Sequence, residues 1–380
     1  MVFPVAMLPV NFMMFIKDKR HSKMYALLIA LGFAAVAFNF APTPDQNTDI
    51  LRHYTTMYRA HNHTFESALT SEAFDSLMGY YLLLKVFSYA KLPVMLPTVI
   101  TFIGYFILVY MVSKLDNEHN TMSRFTTIYL LLSSVSFLGF CSGIRQYTIF
   151  VIFIITFYME IKYKSLKPLA YLIYILLLTL HTSMLIIIIM RLIVDLIFKF
   201  RRTKVFMGIV IFWGLFQNTF ISLLGELFGG NVYVDAFLEM SDYYRENESK
   251  LIFPNYAFRL MFLLFCIFVV LRLMKKGGEE KNLPKTYIIF SLVVSLFALG
   301  AVTNYDVFAR FSIFATMLIA PLLPSFLKDL HPNKRIIFYL GLSMFATIVL
   351  LYNITQYMSF NFNSIGEILS TNIFTILGGI

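Results

Sequence analysis

Apolar runs of membrane-spanning length recur along this chain, and short polar breaks separate them. The clearest occupy residues 24–40, 94–113, 125–141, 146–159, 205–224, 256–273, 287–302, 311–327 and 335–352. About 20 apolar residues in a helix cover the ~30 Å hydrocarbon core of a bilayer, and a helix satisfies its own backbone there. Composition agrees with this: 59% of residues are hydrophobic and 14% charged, against about 25% charged in soluble domains. The run 1–16 is short and precedes its basic cluster at 17–23, the reverse order of a secretory signal. The run 168–200 would be ~50 Å long as one helix. It is expected to hold two short helices meeting near His181. The expectation is one all-α polytopic membrane domain over residues 1–380. It would have about eleven or twelve transmembrane helices, with short re-entrant or interfacial helices on the outer face.

Several function classes drop out. Cys141 and Cys266 lie inside apolar runs, so neither a disulfide framework nor a cysteine metal site is expected. No Walker A pattern occurs, so ATP-driven work would need another subunit. In a soluble chain the net charge of +10 would point to nucleic acid. In a membrane chain it is the Lys and Arg excess of cytoplasmic loops, and no nucleic-acid partner is expected. Placing the basic breaks 17–23, 114–124, 162–167, 199–204, 272–285 and 328–335 inside leaves Arg52, Arg59, Arg145, Arg245, Lys250 and Arg310 outside. Lys85, Lys91, Arg191 and Arg259 then sit at membrane depth or its borders. This orientation puts both termini outside and requires 76–92 to lie along the outer leaflet rather than cross. The external segments are then 41–92 (a loop plus an outer-leaflet helix), the loop 225–255 and the tail 353–380.

The outer side carries few basic residues, mostly Arg. The planar guanidinium fork matches phosphate and carboxylate oxygens. Positive-inside retention does not explain outward arginines, which point instead to an anionic ligand. Asp49 and Arg52 are three apart and share a helix face. Arg52 would meet a phosphate with Asp49 orienting it, although an ordinary solvated ion pair has the same spacing. In Ser142-Gly143-Ile144-Arg145-Gln146, Arg145 stands where a helix restarts after Gly143, beside that helix's N-terminal donors. Snorkelling to lipid headgroups is the plainer alternative. His181, in Leu180-His181-Thr182-Ser183, carries a group able to act as general base or acid, or simply a neutral core imidazole. Asp306 and Arg310 are four apart on one helix face. The acids of 225–255, with Tyr243-Tyr244, suit sugar hydroxyls as they suit any solvated loop. No cluster has metal-ligand spacing, so no metal and no cofactor is expected.

Three of these segments together resemble a known family. Asp49-Ile50-Leu51-Arg52-His53-Tyr54 is similar to the Asp-x-x-Arg-Tyr-Tyr stretch of Wzy-type bacterial polysaccharide polymerases, in their EpsG-like branch. Gly143-Ile144-Arg145-Gln146 at the head of a membrane helix and His181-Thr182-Ser183 one basic loop later follow in the family's order and spacing. The resemblance covers roughly residues 17–195. Two departures stand out: His53 where an aromatic is usual, and a helix after Arg145 unusually rich in Ile and Phe.

The resemblance implies a GT-C-like glycosyltransferase scaffold in the bacterial cytoplasmic (inner) membrane, with its active site facing the extracytoplasmic side. The substrate would be an oligosaccharide repeat unit on undecaprenyl diphosphate. The growing exopolysaccharide, O-antigen or capsule chain would pass from its lipid carrier onto the next repeat, with no nucleotide sugar. Partners would be membrane lipid, a flippase and a chain-length regulator. On that chemistry Arg52, Arg145 and Arg310 stabilise the diphosphate leaving group. His181 is the first choice of base and Asp49 the second. Tyr54, Gln146, Tyr305 and Asp306 would contact substrate. A transporter or flippase of lipid-linked glycan is the competing class. Such proteins place charges near the midplane and show repeat symmetry, and no internal repeat is visible here. A membrane glycan acyltransferase would pair its His with a nearby acid, which His181 lacks in sequence.

Overall fold

The computed structural model describes residues 3–42, 49–64, 66–67, 77–90, 92–115, 120–216, 219, 253–275, 284–358 and 362–378. Of the expected external segments, 225–252 and parts of 41–92 and 353–380 lie outside these residues, as do Arg245, Lys250 and Lys91. In chain order the helices are α1 (Leu8–Lys17), α2 (Ser22–Phe38), α3 (Asp49–Asn62), α4 (Met78–Ser88), α5 (Met95–Leu115), α6 (Thr121–Ser134), α7 (Phe137–Ser142), α8 (Ile144–Lys162) and α9 (Lys167–Leu178). There follow α10 (Ser183–Phe200), α11 (Thr203–Leu215), α12 (Phe253–Lys275), α13 (Lys285–Gly300), α14 (Tyr305–Ile319), α15 (Leu323–Lys328), α16 (Pro332–Met358), α17 (Ile365–Ser370) and α18 (Ile373–Gly378). Among the described residues the β-type pairing is an isolated antiparallel bridge between Phe40 and Phe362.

Among the described residues, six stretches are long and apolar enough to cross a membrane: Met95–Leu115, Ile144–Lys162, Tyr256–Lys275, Lys285–Thr303, Tyr305–Lys328 and Pro332–Ile354. α1, α2 and α11 are shorter apolar helices. The architecture is that of an all-α polytopic membrane protein. Other apolar runs are broken for local reasons. The run 125–141 stops at Val135, whose backbone is extended. There the Ser136 hydroxyl accepts from the Gly139 N–H and starts α7. The run 168–200 divides into α9 and α10 with His181 in the turn between them, as its length required.

The chain forms two units, Met1–Phe157 with Ile175–His181 and Ala320–Ile380, and Tyr158–Tyr174 with Thr182–Ile319. In the first unit α2 packs along α5, α1 lies on α2, and α6 packs on α16. α3 is amphipathic. It buries Ile50, His53, Met57 and Ala60 on one face, spaced by three and four residues, and docks on α4. α4 has 11 residues, so it is ~16 Å long, about half the hydrocarbon thickness. It closes the C-terminal end of α3. Lys85 Nζ donates to the carbonyls of Ala60, His61 and His63 at 2.9, 2.8 and 3.0 Å. The Tyr81 hydroxyl donates to the His63 carbonyl at 2.8 Å. A cation on the orphan carbonyls of a helix end is favoured by both hydrogen bonding and the helix dipole.

In the second unit α10, α11, α12 and α14 all pack on α13. Gly214 and Gly300 let α11 and α13 approach so closely that a Cβ at either would strike the facing backbone. A buried ion pair joins the end of α8 to α10. Arg191 donates to both Glu160 oxygens, from Nη2 at 2.6 Å and Nε at 3.3 Å. Its Nη1 donates to Asp195 at 2.7 Å, and the Tyr174 hydroxyl donates to Glu160 at 2.8 Å. Sequence reading placed Arg191 at membrane depth without a partner. An acid and a base inside neighbouring apolar runs are the signal that would have paired them.

Candidate functional site

Polar groups of the first unit converge on Tyr80, in the first turn of α4. Its hydroxyl lies 2.6 Å from His53 Nδ1, and His53 Nε2 lies 3.2 Å from the Ser142 carbonyl. The Arg145 guanidinium sits over the Tyr80 ring, 4.5 Å from its centroid. Such stacking suits the flat, weakly hydrated guanidinium. His53, Tyr80 and Arg145 are all buried. Arg145 enters through the break predicted at Gly143: α7 ends at Ser142 and α8 restarts at Ile144.

The protonation of His53 follows from its surroundings. Burial pushes its pKa down to about 3, and the charges of Arg145 and Arg52 act in the same direction. The ring is therefore neutral near pH 7. A carbonyl can only accept, so Nε2 carries the proton and donates to Ser142. Nδ1 then accepts from the Tyr80 O–H. Two guanidinium charges, one from α3 and one from α8, thus bear on one uncharged imidazole.

α4 is held in place by the turn that contains His181. The N–H groups of Gly79 and Tyr80 donate to the Thr179 carbonyl at 3.0 and 3.3 Å. Gly79 is needed for this approach, since a Cβ there would collide with the Thr179 hydroxyl and carbonyl group. His181 follows two residues later and is largely buried; its backbone N–H donates to the Leu177 carbonyl at 3.2 Å. The segments carrying Arg52, Arg145 and His181 therefore all meet α3, α4 or the residues bonded to them.

Asp49 and Arg52 form the i,i+3 pair at 3.3 Å, with each side chain about half exposed (55% and 54%). The Tyr54 hydroxyl and Gln146 Nε2 are buried without a hydrogen-bond partner among the described residues. Burial raises the Tyr54 hydroxyl pKa above its ordinary range. Buried polar atoms left unpaired call for an explanation, and a polar ligand is one. Tyr305, Asp306 and Arg310 lie on α14 in the second unit. Tyr80, Gly79 and Thr179 were missed by sequence reading because they sit inside apolar runs. The signal available was the Gly79-Tyr80-Tyr81 triplet beside Lys85 in a segment that the basic breaks keep from crossing.

The model of the EpsG family matches residues 23–364. No curated protein and no solved structure matches the chain.

Proposed function

The chain belongs to the EpsG family, and from that premise we propose that it polymerises lipid-linked oligosaccharide repeat units at the outer leaflet of a bacterial inner membrane. The growing glycan leaves undecaprenyl diphosphate and joins the next repeat on a GT-C-like scaffold. As the glycosidic bond breaks, negative charge develops on the diphosphate. Fixed guanidinium groups stabilise that charge with little reorganisation, most strongly where water is excluded, as around the buried Arg145. Arg145 and Arg52 take this role in the first unit, and Arg310, on α14 of the second unit, is a further candidate for it. His181 accepts the proton of the attacking sugar hydroxyl, with Asp49 as the alternative acceptor. Tyr54 and Gln146 hold polar groups of the substrate, and Tyr305 and Asp306 are further contacts. A flippase and a chain-length regulator are the expected partners.

The observation that carries this reading is the pair of cations, Arg145 and Arg52, bearing on the neutral His53, with the Tyr54 hydroxyl and Gln146 Nε2, unpaired among the described residues, on the residues that follow His53 and Arg145 in the chain. Guanidinium groups at a helix head suit a diphosphate. The deciding experiment gives the purified protein in liposomes its lipid-linked repeat units. Lengthened glycan on the carrier is the expected product. Movement across the bilayer without lengthening would replace this reading with transport. Arg145→Ala and His181→Ala should abolish lengthening while membrane insertion persists. Full-length polymer from both variants would move the site elsewhere. Outside labelling of cysteines placed at 162–167 should fail, and success would invert the orientation.

A further inference from the structure

The first unit holds a cavity that the reaction above leaves unused. α1, α2, α5, α6, α7 and α16 line a partly open pocket of about 300 Å³ with an almost wholly apolar wall. Phe12, Phe33, Tyr105, Tyr129, Leu132 and Phe137 form much of it. Phe33 stacks on Tyr105 at 4.0 Å and stands 6.5 Å from Phe137. The two tyrosine hydroxyls are engaged elsewhere. Tyr105 donates to the Val135 carbonyl at 3.3 Å, and Tyr129 bonds Thr347 at 2.9 Å. The rings therefore present carbon to the cavity.

Water is a poor occupant, because a buried water needs two to four polar partners. The hydrophobic effect does not draw a chain in from the bilayer either, since lipid tails are already apolar. What a hydrocarbon chain gains is contact, because wall atoms facing a void have no dispersion partner.

Two observations select the chain. Leu132 on α6 and Leu350 on α16 line the cavity near the helix ends opposite Arg124 and Arg335. On the orientation set by the basic breaks, those ends lie in the outer leaflet. The second observation is continuity with the arginine cluster. α7 begins at Phe137 in the cavity wall and ends at Ser142, whose carbonyl accepts from His53. This helix has six residues, so the two ends are ~9 Å apart. Apolar wall and cationic head site are thus opposite ends of one short helix, which matches an amphiphile with an anionic head. We infer that the cavity holds the first isoprene units of the lipid carrier, next to its diphosphate. This rests on the polymerase reading for the identity of the head group. The volume lies at the low end of the ~300–1,000 Å³ range of ligand pockets, so the rest of the chain runs on in the bilayer.

The test uses the full chain in nanodiscs with a polyprenyl diphosphate carrying a photoreactive group on its second isoprene unit. Adducts should map to the peptides containing Phe12 and Tyr129–Phe137. Unlabelled polyprenyl diphosphate should compete them away, and phosphatidylglycerol should not. Leu132→Trp, which fills the cavity, should cut these adducts at least about ten-fold and raise the KM for long-chain donors. Phe12→Trp serves the same purpose if Leu132→Trp does not fold. Adducts elsewhere, or equal competition by phosphatidylglycerol, would overturn the inference. Cavity adducts without glycan lengthening by the wild type would keep the lipid site and remove the polymerase reading. Lengthening without cavity adducts would do the opposite.

Discussion

The Tyr80 hydroxyl donates a 2.6 Å hydrogen bond to Nδ1 of His53, and both residues are buried. Its removal can be separated from loss of the ring. Tyr80→Phe keeps a π face for Arg145 but leaves Nδ1 of a buried imidazole without its donor. An unsatisfied buried polar group costs about 1–3 kcal/mol, so thermal unfolding in detergent should move down accordingly. Tyr80→Ala should lose more, because the platform under the guanidinium goes as well. Equal melting of Tyr80→Phe and wild type would show that the hydrogen bond does not hold α3 to α4.

His53 also sets a pH dependence of stability. An unfolded imidazole has a pKa near 6.5, and in the fold burial takes it to about 3. Between those values the unfolded chain binds the extra proton. Stability from this group is full above about pH 6.5 and is lost as pH falls toward 3, with a slope of up to about 1.4 kcal/mol per pH unit. His53→Phe should flatten that slope in melting curves taken between about pH 4.5 and pH 8. An unchanged slope would mean that the imidazole is not buried neutral.

The spans and their breaks are legible in the sequence because bilayer thickness fixes the length of an apolar run and cytoplasmic loops collect Lys and Arg. Arg145 and His181 stand out in the sequence because each interrupts an apolar run at a helix boundary, and Arg52 because it is an arginine on the outer side. Tyr80 and Thr179 are not. Their roles come from backbone pairing between segments about a hundred residues apart, which no local pattern encodes. His53 reads as a departure from an aromatic position. In the structure it links α3 to Tyr80 and to Ser142. The two-helix division of 168–200 follows from length alone. The break at Val135 depends on one capping serine, Ser136, inside an otherwise continuous apolar run.

Lys85 gives a third prediction. Its ammonium donates to three carbonyls at the end of α3. Lys85→Met keeps most of the apolar stem but removes every one of those donors. A hydrogen bond to a charged group contributes about 1.5–3 kcal/mol net; these three are part-buried or exposed and share one ammonium, so the variant should lose on the order of 1–3 kcal/mol. Hydrogen exchange should rise first in the last turn of α3. Exchange rising uniformly along α3 and α4 would instead indicate that Lys85 acts through general packing.

The Glu160–Arg191 pair separates the cost of breaking a buried ion pair from the value of having one. Both side chains are nearly fully buried, at 3% and 5% exposure, while Asp195 is 42% exposed. Arg191→Met leaves the Glu160 carboxylate with the Tyr174 hydroxyl as its remaining partner among the bonds described above. Breaking such a pair costs about 3–5 kcal/mol, so this variant should melt well below wild type. Glu160→Gln should cost less, because an amide keeps an acceptor for Arg191 and Tyr174 and Asp195 still balances the guanidinium. Glu160→Leu combined with Arg191→Met removes both charges at similar volume. Desolvation then no longer opposes folding, and the double variant should recover most of the loss, as apolar replacements of buried pairs commonly do. The coupling read from the melting curves of wild type, Glu160→Leu, Arg191→Met and the double variant should reach about 2–3 kcal/mol, the upper range for residues in one network. Additive losses would mean that the two side chains do not share the pair in the membrane.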